Sequence, residues 1–358
     1  MHDSVSPLQD THLSMAEFMQ SQASWQDVLG ALCFSGSAQP RLPADMDTPC
    51  LCVPMSRVDA NESVCELWYG HGAVKQGRKG DIRYRHDAEV LFGVVQFSEA
   101  QFTALPDKTP LQQATESAYR QIFELLESQR YPYLFRFWNY IADINTHSFG
   151  LERYWQFNLG RQEAFLAHGR EVMGNVPAAC ALGFAHQSEK ATLTIAFLAG
   201  RTAPRNIENP RQTSAYQYPP QYGPRSPTFS RASLVNLGNH EVLFISGTAS
   251  IVGHATLHPS DVLAQTRETV TNIEAVLAEA NAVSVKTHFD LASLHYKVYL
   301  RRVSDLEAVR AELKRLVGSQ LNAIYLHGDI CREDLLLEIE ATAGLLPAGR
   351  TIKQSDAA

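Results

Sequence analysis

The sequence predicts an α+β fold. Short apolar runs separated by turn residues occupy its first third, and amphipathic helical stretches alternate with strands through its second half. At 358 residues with 45% hydrophobic content, the chain exceeds the usual size of one domain and has ample material for a core, so two domains or one large fused domain is expected.

In the first 110 residues the clearest strand is Glu89 to Phe97 (EVLFGVVQF). After Pro110, the segment Leu111 to Gln129 places Ala118, Ile122, Leu125 and Leu126 at helical spacing, and a second helix is predicted from Gly150 to His168. A strand from Ala191 to Leu198 closes this half. From Arg201 to Ser233 periodicity stops, and Pro204, Pro210, Pro219, Pro220, Pro224 and Pro227 stand among Tyr216, Tyr218, Tyr222 and several Arg. A long irregular loop in a compact chain is either disordered or functional. Disordered segments are poor in aromatic residues, so this one reads as an ordered, site-forming loop. The second half then runs as strand Glu241 to Ser246, helix Ser260 to Ala280, strand Leu294 to Arg301, helix to Val317, strand Ala323 to His327 and strand Leu335 to Ala341. Ser304 and Glu307 have the spacing of a capping box for its second helix. This β-α-β-α-β-β order predicts a sheet with both helices on one face.

A net charge of −7 argues against a nucleic-acid partner, since phosphate binding needs a basic face. No apolar run is long enough for a membrane helix, and the first residues carry Asp3 and Asp10 instead of a basic leader, so a soluble cytoplasmic protein is expected. Of the 31 basic residues 23 are Arg, and the planar guanidinium fork suits carboxylate recognition. The six cysteines, at 33, 50, 52, 65, 180 and 331, form no C-x-x-C pair; reduced thiols are expected, with Cys50 and Cys52 as packing residues.

Familiar signatures are missing. Gly70, Gly72, Gly77 and Gly80 do not have dinucleotide spacing, the nearest phosphate-loop frame has Arg78 where Lys is required, and there is no G-x-S-x-G. His254 and His258 precede a helix start with no acidic residue in frame, and read as loop histidines without a metal. The last strand says more. Alternation puts Leu336, Glu338 and Glu340 on one face and Leu335, Leu337 and Ile339 on the other. A carboxyl desolvated beside Leu336 would have a raised pKa suited to an acid; a solvent-facing Glu pair on an edge strand is the plainer alternative.

Four segments together resemble the chorismatases: RYWQFNLGR (Arg153 to Arg161), NPRQTSAYQYPPQYGPRSPTFSRA (Asn209 to Ala232), SGTASIVGH (Ser246 to His254) and CREDLLLEIEA (Cys331 to Ala341). The likeness spans roughly residues 130 to 345 and is greatest to the hydroxybenzoate-forming members of the xanthomonad pigment-pathway type; it is not drawn over the first 80 residues. KVYLRR (Lys297 to Arg302) and LEIEATA (Leu337 to Ala343) also resemble the enamine/imine deaminase fold, of which chorismatases carry a fused version. The resemblance implies two deaminase-like halves, 1–199 and 200–358, with loop 201–233 at their junction. It implies a monomer, no cofactor and no metal, and chorismate as substrate, converted to 3-hydroxybenzoate or 4-hydroxybenzoate and pyruvate. Glu338 becomes the catalytic acid/base; Tyr154, Arg161, Tyr216, Arg225 and Arg301 become substrate contacts. Family members that form hydroxybenzoate carry Cys seven residues before the catalytic Glu, here Cys331, while those that hydrolyse chorismate to a dihydroxycyclohexadiene carboxylate carry a smaller residue. Seven extended residues span about 23 Å, so Cys331 and Glu338 share a pocket only if the chain turns near Arg332 to Asp334. A deaminase-like hydrolase of enamines and a non-catalytic sensor of aromatic acids are the alternatives.

Overall fold

Strand Tyr133–Ala142 is buried at every residue but its first, the pattern of a strand covered on both faces. In the computed structural model, which describes residues 8–14, 17–18, 25–36, 48–185 and 192–347, it lies inside a seven-stranded sheet. The order is Asp329–Ile330, Ala178–Phe184, Tyr133–Ala142, Leu193–Gly200, Val90–Phe97, Ile82–His86, Lys75–Lys79. Two helices, α1 (Pro110–Gln129) and α2 (Arg153–Ala167), pack on one face through Tyr119, Phe123, Phe157 and Phe165. The N-terminus of α1 is set by Thr109, whose side chain accepts from the amide of Gln112, and by Pro110 in the first turn, where a missing N–H costs nothing.

The second half repeats this plan. Its sheet has the order Arg205–Ile207, Ala232–Leu237, His240–Thr248, Leu337–Ala343, His295–Leu300, Asn322–His327, with α3 (Val262–Val283) and α4 (Leu306–Val317) on one face. In both halves three strands, a helix, a strand, a helix and two strands follow in the chain. The last strand inserts between the third and fourth, and the fourth and fifth strands pair in parallel. The expectation of two halves of one topology, helices on one face, is met. The short strand Asp329–Ile330 leaves the second half to pair with Ala178–Phe184 of the first.

A third sheet, which the sequence left unassigned, has the order Leu346–Pro347, Gln9–Ser14, Val64–Tyr69, Val28–Phe34, Cys50–Val53. It covers the helix-free faces of the other two, and Leu32, Phe34 and Trp68 share a core with Phe92 and Trp138 of the first half and Phe244 and Tyr299 of the second.

Three local expectations are corrected. The Ser304/Glu307 capping box does not form: Ser304 falls in a 3-10 turn, Val303–Asp305, and Asp305 caps α4 without a side-chain bond, while a capping box forms at Asp290 and Ser293. The closing strand begins at Leu337, not Leu335, because residues 331–336 turn. The thiols are not all reduced: Cys33 and Cys65 lie opposite each other on antiparallel strands and are disulfide-linked, a pairing set by strand register that a separation of 32 residues does not reveal. Cys50 packs in the same small core.

Buried charges join the three sheets. Arg136 of strand Tyr133–Ala142 pairs with Glu340 of the closing strand. Lys297 Nζ lies 2.7 Å from Glu340 Oε1 and 2.7 Å from Glu66 Oε2 in the third sheet. Two cations and two carboxylates balance, which is the condition for keeping charges out of water. Arg136→Met removes one cation and leaves the buried carboxylates Glu340 and Glu66 to share Lys297 alone. We expect a loss of about 3–5 kcal/mol of stability by urea denaturation at neutral pH; a loss below about 1 kcal/mol would show that the pair does not hold the sheets together.

Candidate active site

The closing strand Leu337–Ala343 is paired on both sides, so its two glutamates are not on an edge. Alternation sends Leu337, Ile339, Ala341 and Ala343 into the core beneath α3 and α4 and Glu338 and Glu340 to the opposite face. Both are buried, at 4% and 3% exposure, yet their surroundings differ.

Glu340 meets Arg136 and Lys297 and accepts a hydrogen bond of 3.0 Å from Tyr299 Oη. Burial alone would raise its pKa, but the two cations outweigh it and hold the carboxyl down at about 2. Glu338 has no such partner among the ion pairs of the described residues. Burial, reinforced by the fixed negative charge of Glu340, raises it to about 8. Two carboxyls two residues apart are thereby separated into a permanent anion and an acid that keeps its proton at neutral pH.

Glu338 opens into a cavity of about 400 Å³ lined by both halves. Its carboxyl reaches the cavity across Gly247: a Cβ there would lie 1.9 Å from Glu338 Oε1. The pairing of His240–Thr248 with the closing strand slips between Ile245 and Thr248, and this bulge brings Gly247 against the carboxyl. Residues 331–334 turn as required, so Cys331 lines the same cavity as Glu338. Burial, with Glu338 nearby, pushes the Cys331 thiol up to about 12, so it is a neutral wall. Cys180, a second thiol in the cavity wall, packs at the same place: a Cβ on Gly247 would lie 3.3 Å from the Cys180 Cβ.

Three guanidinium groups line the cavity: Arg161, Arg231 and Arg332. Arg161 donates to Asn158 Oδ1 at 2.8 Å and lies over the Phe157 ring. Arg231 donates to Tyr218 Oη at 2.9 Å and to Thr213 O at 2.8 Å. Arg332 stacks 3.9 Å from the centroid of Tyr222. None forms an ion pair among the described residues, and each keeps a buried nitrogen without a hydrogen-bond partner: Arg161 Nε, Arg231 Nε and Arg332 Nη2. Unpaired buried cations of this kind call for anionic groups on a ligand. Tyr154, whose phenol burial keeps neutral, completes this wall.

Of the residues expected at the site, Glu338, Cys331, Tyr154 and Arg161 line one cavity. Tyr216, Arg225 and Arg301 do not. Tyr216 is half-buried in the 3-10 turn Ala215–Gln217 and Arg225 is exposed; the two 3-10 turns of the Pro-rich loop direct Tyr218 and Tyr222 to the cavity instead. Arg301 spends its donors on oxygens of Asn145, Asp329, Ile330, Arg332 and Leu335 and does not itself line the cavity. The residues not anticipated are Tyr218, Tyr222, Arg231, Arg332 and Cys180. A signal existed, because Tyr222 and Arg231 repeat, six residues further along, the separation of Tyr216 and Arg225. Among the described residues no cluster of three or more His, Cys, Asp or Glu is placed to hold a metal ion. His254 accepts or donates toward Tyr222 Oη at 3.2 Å, and His258 faces Glu268.

Comparison with known proteins identifies the family. Residues 66–199 match the family model described as chorismatase FkbO/Hyg5-like, N-terminal. A 3-hydroxybenzoate synthase of Streptomyces hygroscopicus is 37% identical over 78% of this chain and 81% of its own length. A chorismatase of the same organism is 39% identical over 78% of this chain and 79% of its own. The crystal structure of a chorismatase superposes with a TM-score of 0.82 at 33% identity, covering 95% of this chain and 99% of that one. The chain belongs to the chorismatase family.

Proposed function

We propose that this enzyme converts chorismate to 3-hydroxybenzoate, 4-hydroxybenzoate or both, with release of pyruvate, and that Glu338 is its acid/base. The observation that carries the reading is a buried carboxyl protonated at neutral pH, facing a cavity whose three guanidinium groups lack carboxylate partners. The relative named 3-hydroxybenzoate synthase supports the product. An enamine hydrolase has no need for the Tyr- and Pro-rich loop that lines this cavity, and a sensor has none for a tuned acid.

Chorismate carries two carboxylates, and Arg161 and Arg231 are suited to take them by forked, charge-assisted bonds. Tyr154 and Tyr218 are placed to donate to its oxygens. Glu338 gives its proton to the enol-ether methylene, leaving an oxocarbenium-like carbon stabilised by the emerging ether oxygen. The ring hydroxyl next to the ether then attacks the ring carbon that bears the pyruvyl group. That C–O bond breaks, pyruvate leaves, and the hydroxyl proton returns to Glu338. The arene oxide opens to the aromatic acid, so the atoms of chorismate are divided between hydroxybenzoate and pyruvate with none added. Capture by water instead would give the dihydroxycyclohexadiene carboxylate. Cys331 occupies the place of such a water with a neutral thiol, a poor hydrogen-bond partner. We take the boundary between the halves at 199/200, which the matching strand orders on either side support, and the working unit to be a monomer.

Incubation with chorismate and assay of pyruvate and hydroxybenzoate tests the reading; no pyruvate would end it. Glu338→Gln should lower turnover at least about a hundredfold. Because the protonated form is active, wild-type kcat/KM should be level below about pH 8 and fall tenfold per unit above it. The unfolded chain loses this proton near 4.5 and the folded chain near 8, so stability declines across that window. Glu338→Gln escapes the decline and should melt higher than wild type at pH 8.5 or above. An activity profile still flat beyond pH 9 would remove Glu338 as the acid.

Arg231→Ala should weaken kcat/KM by about 2–5 kcal/mol, the consequence of leaving a substrate carboxylate unpaired. Arg225→Ala, on the surface, should stay within about 0.5 kcal/mol of wild type. The reverse ranking would show that the loop closes differently around substrate.

A further inference from the structure

Arg301 stands just beyond strand His295–Leu300 and its guanidinium has five N–H donors. Five hydrogen bonds use them: Nε donates to Leu335 O at 2.8 Å, Nη1 to Asp329 Oδ1 at 2.6 Å and Asn145 Oδ1 at 3.2 Å, and Nη2 to Arg332 O at 2.9 Å and Ile330 O at 3.1 Å. Three of the acceptors are backbone carbonyls of residues 330–335, the turn that carries Cys331 and Arg332 into the cavity. The backbone closes the same clamp, since Arg301 N donates to Leu336 O at 3.0 Å.

Gln265 of α3, fully buried, holds this turn from the other side. Its Nε2 donates to Asp334 O at 2.8 Å and to His258 O at 3.2 Å, and its Oε1 accepts from Leu336 N at 2.8 Å. Residues 331 to 336 belong to no strand or helix; the turn's own backbone supplies one bond, Leu335 N to Arg332 O at 3.2 Å, and the two side chains satisfy carbonyls that the turn leaves open. Two side chains from two different elements therefore fix where the Cys331 sulfur lies relative to Glu338. A guanidinium with every donor committed has nothing left for a substrate carboxylate, in contrast to Arg161, Arg231 and Arg332.

We infer that Arg301 and Gln265 are positioning residues that set the product of the reaction, by holding the turn that presents Cys331 to the reacting carbons. Neither touches the substrate. The inference rests on the chorismatase reading above and on Cys331 as the group that excludes water. A shift of the turn by less than an ångström would admit a water beside the thiol, and misplacement on that scale is enough to change rates many-fold.

The test is product analysis on chorismate for wild type, Cys331→Ala, Arg301→Lys and Gln265→Met, with KM, kcat and melting temperature. Lys keeps the charge of Arg301 but cannot span three carbonyls; Met keeps the volume of Gln265 and leaves Arg301 intact, so it stands if the Lys variant fails to fold. All three variants should raise the ratio of dihydroxycyclohexadiene carboxylate to hydroxybenzoate by at least about threefold, with KM within about threefold of wild type. Adding Gln265→Met to Cys331→Ala should shift the ratio no further, because both act through one sulfur position. A KM raised about tenfold in Arg301→Lys with an unchanged ratio would make Arg301 a substrate contact and overturn the inference. A lowered melting temperature with an unchanged ratio in both clamp variants would reduce the clamp to a structural role and equally overturn it. Wild type that releases no pyruvate from chorismate would instead sink the underlying reading, and is told apart because no variant is then needed to see it.

Discussion

Glu340 keeps a full negative charge inside the protein because Arg136 and Lys297 meet it there, and the same contact fixes the geometry and the chemistry of the site. The pair is not placed for stability alone: well-packed apolar residues would serve a core as well or better. What an apolar core would not supply is a permanent anion two residues away from Glu338, on the same face of the same strand. That anion, together with burial, raises Glu338 into the range where a carboxylic acid works at neutral pH. Lys297 continues the chain of charges to Glu66, so the third sheet is tied to the strand that bears the acid.

The duplication explains why one half carries the acid. Strand register places Leu337 opposite Leu300 and Glu340 opposite Lys297 in the second half, and Leu193 opposite Ile141 and Ala196 opposite Trp138 in the first. The matching strand of the first half carries Thr194 and Ala196 opposite Tyr140 and Trp138; the closing strand of the second carries Glu338 and Glu340 opposite Tyr299 and Lys297. The first half keeps the backbone plan with an apolar strand and gives the cavity its wall instead, through Tyr154, Arg161 and Cys180. The long loop between the halves completes the cavity with Tyr218, Tyr222 and Arg231.

Much of this was legible in the sequence where a local rule applies. Period-2 alternation put Glu338 and Glu340 on one face, helical spacing located α1 and α3, and aromatic residues in a Pro-rich segment marked the loop as ordered. Long-range placement was not legible. Strand Tyr133–Ala142, with Arg136 and Asn139 inside an otherwise apolar run, has no alternation because it is buried on both faces. The third sheet is assembled from short strands far apart in sequence and closed by the chain's last described residues. Of the partners that divide the two glutamates, Arg136 lies 204 residues from Glu340 in the chain and Lys297 faces it from the neighbouring strand, pairings that no local pattern reveals. In the loop, two Tyr–Arg pairs of equal separation competed, and only the 3-10 turns decide which one faces the cavity.

Glu338 holds a proton at neutral pH because of where it is buried and because Glu340 cannot take one. The most direct measurement is the infrared difference spectrum between wild type and Glu338→Gln as a function of pH, following the carbonyl stretch of the protonated acid. The account predicts that this band persists at pH 7 and disappears with a midpoint near 8, with Glu340 contributing none down to about pH 3. A midpoint in the ordinary glutamate range near 4.5 would contradict it.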